Sequence, residues 1–186
     1  MLRPKMEKLK RPLALLPLML LLVVCFHVPG AAVSQTQSQG PIKDGIGLGE
    51  ILIGVSTAAD VEARYGLKYE LMNRNEYSYR MDYADQGLAF YYCFKDAKKR
   101  VFLVEAHQGV TSKGIIVGKS TLADVFKLYG ENSSGGHAYI FEYPGIQIYI
   151  DHDPTPEGEK EKAPALDKKV VEVDIVAPDK ASNFCD

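Results

Sequence analysis

The 186-residue chain contains no tryptophan, only three cysteines and, outside its first segment, a shortage of basic side chains. The apolar run Leu13–Val28 covers 16 residues and is interrupted by Pro17 and His27, short of the roughly 20 that a bilayer-spanning helix needs. Five of the 22 Lys and Arg lie within residues 1–32, against one acid, Glu7. The remainder carries 17 basic and 23 acidic residues, a net charge of −6. An acidic body lacks the basic footprint of nucleic-acid binding. With 46% hydrophobic and 25% charged residues, the chain is neither disordered, collagen-like nor a multi-span membrane protein.

What is present begins with an export pattern. Arg3 to Arg11 form a basic stretch, Leu13–Val28 an apolar one, and Ala31-Ala32-Val33-Ser34 supply the small residues of a cleavage region. The pattern predicts a signal peptide over 1–34, cleaved after Ala32 or Ser34, and a periplasmic or secreted protein. Membrane contact would then arise only through an uncleaved N-terminus. Cys25 follows Leu22-Val23-Val24, a poor lipobox, because the residue before a lipidated cysteine is preferably small. Cys93 and Cys185 remain in the exported chain, where an oxidising compartment favours a disulfide between them; two unpaired thiols are the alternative.

The rest is a tandem repeat. Gly54–Gly66 (GVSTAADVEARYG) aligns without a gap on Gly118–Gly130 (GKSTLADVFKLYG), with eight of 13 positions identical. Composition alone would give about one. Downstream, Tyr79–Tyr83 aligns with Tyr139–Tyr143, Gly87–Tyr91 with Gly145–Tyr149, and Arg100–Ala106 with Lys169–Ile175. Each unit reads as a short helix followed by three strands. Thr57 and Thr121 are set to cap the helices because Asp60 and Asp124 follow three residues later, and Gly66 and Gly130 are set to end them. Alternation predicts a helix-facing side of Tyr77, Tyr79, Met81 and Tyr83, then Leu88, Phe90, Tyr92 and Phe94, then Phe102, Val104 and Ala106. The second unit offers Tyr139, Phe141 and Tyr143, then Ile146, Ile148 and Ile150, then Val171, Val173 and Ile175. The expected class is α+β: two tandem helix-plus-antiparallel-sheet modules, at 45–108 and 109–176, whose sheets join or pack side by side. A flexible lead-in at 35–44, a charged and mobile insertion at 151–169 and a C-terminal tail at 177–186 complete the organisation.

Several motifs carry less than they suggest. Gly114–Thr121 has three residues between its glycines where a phosphate-binding P-loop has four, and helix capping accounts for it. Asp151, His152, Asp153 and His137 are metal-ligating types without a defined converging geometry. No acid is assigned to His107, which ends a strand, and Ser133-Ser134 belong to no nucleophile elbow. No catalytic constellation, cofactor or metal is expected. The candidate site is instead the sheet face away from the helices. Tyr91 and Tyr149, at equivalent repeat positions, should lie there with Arg80, Leu103, Ile140 and Gln147, beside Glu105 and Asp174. Tyrosine, arginine and aliphatics are the composition of binding hot spots; the other reading is that these residues pack the modules together or lie under the tail.

The pattern Ile-x-x-Gly-x-Ser-Thr-x-x-Asp-Val-x-x-x-Tyr-Gly, followed by strands with a Gly-Leu/Ile-x-Phe/Ile turn, resembles the module of the superfamily containing the secreted beta-lactamase inhibitory protein and the SmpA/OmlA outer-membrane lipoproteins. The resemblance covers about residues 45–176, and two modules in one chain are more similar to the inhibitory protein. It implies an extracytoplasmic, non-enzymatic protein that binds an envelope or secreted protein through the sheet face. The chain departs from the inhibitor in having two distant cysteines in place of a local pair in each module, so no inhibitor contact residues carry over. The alternative is a periplasmic binder or sensor of a small ligand or peptide held between the modules.

Overall fold

The computed structural model describes residues 39–131, 137–154 and 162–178. The expected signal peptide, the Ser133-Ser134 and Gly135-Gly136 positions, the centre of the 151–169 insertion and Cys185 lie outside the described residues. Every described residue belongs to one unit, Gln37–Asp186. No described helix is long and apolar enough to cross a membrane.

The protein is α+β. Three short strands, β1 (Ile42–Lys43), β2 (Gly47–Leu48) and β3 (Ile51–Leu52), precede helix α1 (Ala58–Tyr65). Strands β4 (Glu70–Asn73), β5 (Ser78–Tyr83), β6 (Leu88–Cys93) and β7 (Val101–Ala106) follow. Helix α2 (Leu122–Tyr129) then leads to β8 (Ile140–Tyr143), β9 (Ile146–Ile150) and β10 (Val170–Val176). Strands β4 to β10 make one antiparallel sheet in the order β4-β5-β6-β7-β10-β9-β8. Both helices pack on the same core: Val61, Tyr65, Leu122 and Val125 join Phe90, Tyr92, Val104, Ile148, Val173 and Ile175.

Local sequence explains the helices. Asp60 Oδ2 accepts from the Thr57 N–H at 2.7 Å, and Asp124 Oδ2 from the Thr121 N–H at 2.8 Å. In return each threonine Oγ1 accepts from the backbone N–H of its aspartate. These capping boxes, each worth about 1 kcal/mol, hold the Asp60 and Asp124 carboxyls below their ordinary range, chiefly through the backbone N–H bonds. The same long-range bonds recur at positions that the sequence alignment pairs. The Gly54 N–H donates to Val101 O at 2.7 Å and the Gly118 N–H to Val170 O at 2.8 Å; Ala58 and Leu122 donate to Lys99 O and Lys168 O, both at 3.0 Å. The Tyr83 and Tyr143 hydroxyls donate to the carbonyls of Gly66 and Gly130 at 2.8 and 2.7 Å.

The two halves meet where β7 pairs with β10. Ala106 faces Val173, Glu105 faces Asp174, and Val104 faces Ile175. In the repeat alignment Glu105 and Asp174 are equivalent, as are Val104 with Val173 and Ala106 with Ile175. Each strand therefore pairs with its own counterpart about a local two-fold axis, and Glu105 and Asp174 face each other across it.

Five residues assigned inward lie outside the main core: Phe102 and Val171 are turned by register shifts, and Tyr77, Phe94 and Tyr139 lie beyond strand ends. A register shift between Tyr91 and Tyr92 places Val101, not Phe102, in the main core, and Phe102 joins Tyr91 and Leu103 on the other face. An equivalent shift in β10 buries Val170 and leaves Val171 42% exposed. A β-bulge adds one residue to a strand and reverses the facing of what precedes it; periodicity cannot reveal it. Tyr77 and Phe94 flank the ends of β5 and β6 and are exposed, Phe94 stacking on Tyr79 with ring centroids 5.6 Å apart. Two further elements lie outside the predicted pattern. Strand β4 is an added edge strand, and the described end of the predicted lead-in contains β1. Ile42 is fully buried there and bonds both Val110 O and the Ser112 N–H, so this segment is part of the core. The ends of the insertion are also anchored: Asp151 N–H donates to Lys169 O at 2.7 Å, and Ala123 N–H to Leu166 O at 2.9 Å.

The β8–β9 turn depends on Gly145. Its φ is +82°, and a Cβ there would lie 2.4 Å from the backbone nitrogen of Gly45, whose N–H donates to Gly145 O. Its repeat counterpart Gly87 has φ +58° but only side-chain atoms at 3.5 Å or more. Gly87→Ala is expected to cost about 1–2 kcal/mol, the left-handed penalty for an L-residue. Gly145→Ala should cost clearly more, because backbone must also move; urea unfolding of the two variants measures the difference.

Candidate functional site

The face opposite the helices is built from alternate residues of five strands. Strand β5 contributes Arg80 and Asp82; β6 contributes Ala89 and Tyr91; β7 contributes Leu103 and Glu105. Strand β10 brings Glu172 and Asp174, and β9 brings Gln147 and Tyr149. Register sets neighbours: Arg80 faces Tyr91, Tyr91 faces Leu103, and Ala89 lies between Asp82 and Glu105. Because Ala89 is small, the Arg80 guanidinium reaches across it, 2.8 Å from Glu105 Oε1 and 3.2 Å from Asp82 Oδ2. On the other half, Tyr149 faces Glu172 and Ile140, and Gln147 faces Asp174.

The equivalent tyrosines make equivalent bonds. The Tyr91 hydroxyl donates to Glu105, and the Tyr149 hydroxyl lies 3.1 Å from Asp174 Oδ2. Each tyrosine thus covers the acid of its own half beside the two-fold axis. Burial, reinforced by these carboxylates, raises the pKa of both phenols, so they stay neutral donors. Asp174 is 3% exposed and its Oδ1 has no hydrogen-bond partner among the described residues. Burial first, and then the charges of Glu172 and Glu105, push its carboxyl up to about 8. Glu172 is raised as well, by burial and then by Glu105.

The six candidate residues divide. Arg80, Ile140, Gln147 and Tyr149 are partly exposed. Tyr91 and Leu103 are 3% and 7% exposed and pack with Ala89, Cys93, Phe102 and Val176 in a second apolar cluster. They are packing residues, not presented surface. The reason is the bulge that turns Phe102 onto Tyr91, together with Arg74, whose guanidinium lies 4.6 Å from the Tyr91 ring centre. Cys93 is buried at the edge of this cluster.

Arg74 and Glu172 are the residues of this face that the sequence did not single out, whereas alternation along β7 already puts His107 here beside Leu103 and Glu105. His107 does have acidic partners: Nε2 is 2.8 Å from Glu105 Oε1 and Nδ1 is 3.5 Å from Glu172 Oε2. The signal was present in the i, i+2 spacing of Glu105 and His107, but the strand opposite had to be known. Elsewhere, His152 stacks on Tyr139 at 3.6 Å, and Asp153 accepts from Lys168 at 3.1 Å. Three grooves formed by described residues flank α1, α2 and the β4 edge.

The chain matches no family model, no curated protein and no solved structure.

Asp174 generates a pH dependence with a definite sign. Unfolded, an aspartate titrates near 3.9; folded, Asp174 holds its proton up to about 8. The folded state therefore binds more protons across that window, and Asp174's contribution to stability falls as pH rises from about 4 to about 8. Asp174→Asn removes this loss. Its thermal midpoint, measured against that of the unaltered protein, should gain progressively between pH 5 and pH 8. In the same measurement at fixed pH, Tyr91→Ala should cost about 3 kcal/mol or more, as for a large buried ring, and Tyr149→Ala distinctly less.

Proposed function

We propose that the protein is an exported, non-enzymatic binding protein of two tandem helix-plus-sheet modules, which engages an envelope or secreted protein through the second-module half of its sheet face. The observation that carries this reading is the grouping of partly exposed Tyr149, Ile140 and Gln147 opposite the helices, with the Arg80 side chain on the first-module half of the same face. An amphipathic ring, an aliphatic side chain and a planar cation, all mounted on strands, give contact area at small entropic cost. The capping boxes and long-range bonds recurring at aligned positions support the tandem-module part; the likeness to the beta-lactamase inhibitory protein and SmpA/OmlA superfamily rests on the sequence pattern alone. The basic, apolar and small-residue succession over 1–34 supports export. Export in turn supports a Cys93–Cys185 disulfide.

The alternative, a small-ligand or peptide binder, calls for polar groups converging in a pocket between the modules. The test is capture of proteins from the cell envelope and culture fluid by the purified protein, with Tyr149→Ala/Ile140→Asp as control. A partner retained by the parent and lost by the variant, at nearly unchanged thermal midpoint, is the expected result. A partner bound equally by both excludes this face. The intact mass of the exported protein reports the rest: cleavage after Ala32 or Ser34, and a chain lighter by two hydrogens when the cysteines are joined.

A further inference from the structure

The cluster on the β7–β10 seam is more specific than a solvated acidic patch. Glu105, His107 and Glu172 bring one potential ligand atom each to within 4.8 Å of one another. They come from both halves of the sheet: Glu105 and His107 from β7 and the residue after it, Glu172 from β10. Glu105 Oε1 lies 2.8 Å from Nε2; with Nε2 as the donor to it, Nδ1 is left facing Glu172. A carboxylate behind an imidazole is the arrangement that orients metal-bound histidines. The Nδ1–Glu172 Oε2 separation of 3.5 Å is long for a hydrogen bond. Two ligands of a tetrahedral zinc ion, each about 2.0–2.2 Å from the metal, lie about 3.4 Å apart.

A second observation points the same way. Asp174 is two residues from Glu172 on the same strand face and directly across from Glu105, and its buried Oδ1 has no hydrogen-bond donor among the described residues. A buried carboxyl oxygen with no partner is costly whether or not the group is ionised, and Arg80 is already bonded to Glu105 and Asp82. The cluster offers acceptors in excess of donors, while the His107 side chain, 45% exposed, leaves the site reachable from solvent. Imidazole with carboxylates suits zinc and its borderline neighbours better than magnesium, which favours oxygen ligands and retained water.

We propose that His107 and Glu172 ligate a divalent cation of zinc type across the seam, with Glu105 orienting the imidazole beside the buried Asp174 carboxyl. Such an ion would join the two halves at the end of their shared strand pair. The inference stands independently of the partner-binding reading, since it concerns different side chains and a different readout.

The experiment is zinc titration of the purified full chain after EDTA treatment and buffer exchange, followed by calorimetry and thermal midpoint. Cobalt(II) serves as a spectroscopic probe of coordination. Saturable one-to-one binding is expected, with a raised midpoint reversed by EDTA and visible cobalt bands of four- or five-coordinate type. His107→Ala and Glu172→Gln should each weaken zinc at least ten-fold, whereas His152→Ala should leave binding unchanged. Midpoints in EDTA establish that each variant is folded, and Glu172→Gln keeps the side-chain shape. Absence of binding, equal affinity in the His107 and Glu172 variants, or loss of binding in His152→Ala overturns the proposal.

Discussion

The pairing of β7 with β10 is the constraint on which the rest depends. Without it each half would be a small sheet with one helix and a long unpaired edge, a poor basis for independent stability and an invitation to aggregation. With it, β7 and β10 become the central strands of seven, and Val104, Ala106, Val173 and Ile175 are buried beneath both helices. The register that achieves this also has a cost. It sets Glu105 against Asp174, two acids on one buried line, and much of the surrounding face compensates for them. Tyr91 and Tyr149 each donate a hydroxyl, Arg80 crosses the gap above Ala89, and Asp174 keeps a proton that an exposed aspartate would lose.

Much of this architecture was legible in the amino-acid order. The Thr57/Asp60 and Thr121/Asp124 spacings specify both helix starts through local hydrogen bonds alone, and period-two alternation locates six of the seven strands in the large sheet. Features decided by non-local geometry were not legible. The bulges that exchange Phe102 for Val101 and Val171 for Val170 leave no mark on hydrophobic periodicity, because both alternatives are apolar. Strand β4 reads Glu-Leu-Met-Asn and is half polar because it is an edge. Ile42 sits among Gly, Pro, Lys and Asp, so its burial depends on partners some 70 residues away, Val110 and Ser112.

The face followed the same division. Alternation placed Tyr91, Tyr149, Arg80, Leu103, Ile140 and Gln147 opposite the helices, but facing is not exposure. Tyr91 and Leu103 face outward and are still covered, since the bulge and Arg74 bring side chains over them. His107 showed the converse. In the one-dimensional chain it had no certain partner, and only the order of strands in the sheet places Glu172 beside it. Charge compensation across a seam is a property of topology, which the repeat hinted at and the local sequence could not supply.

The local two-fold axis has a consequence for which side chains the face can carry. A strand that pairs antiparallel with its own repeat counterpart, in register about one position, meets the geometric condition for two identical chains pairing through the same edge. In such a symmetric dimer the axial residue must face its own copy, and any acid there would confront an identical acid with identical neighbours. Two halves within one polypeptide are free of that restriction. Glutamate can then face aspartate, arginine can occupy position 80 while isoleucine takes 140, and alanine at 89 can answer glutamine at 147. The asymmetry of the present face, cationic bridging on one side and a buried proton on the other, is a freedom open to a joined pair and closed to a dimer of equals.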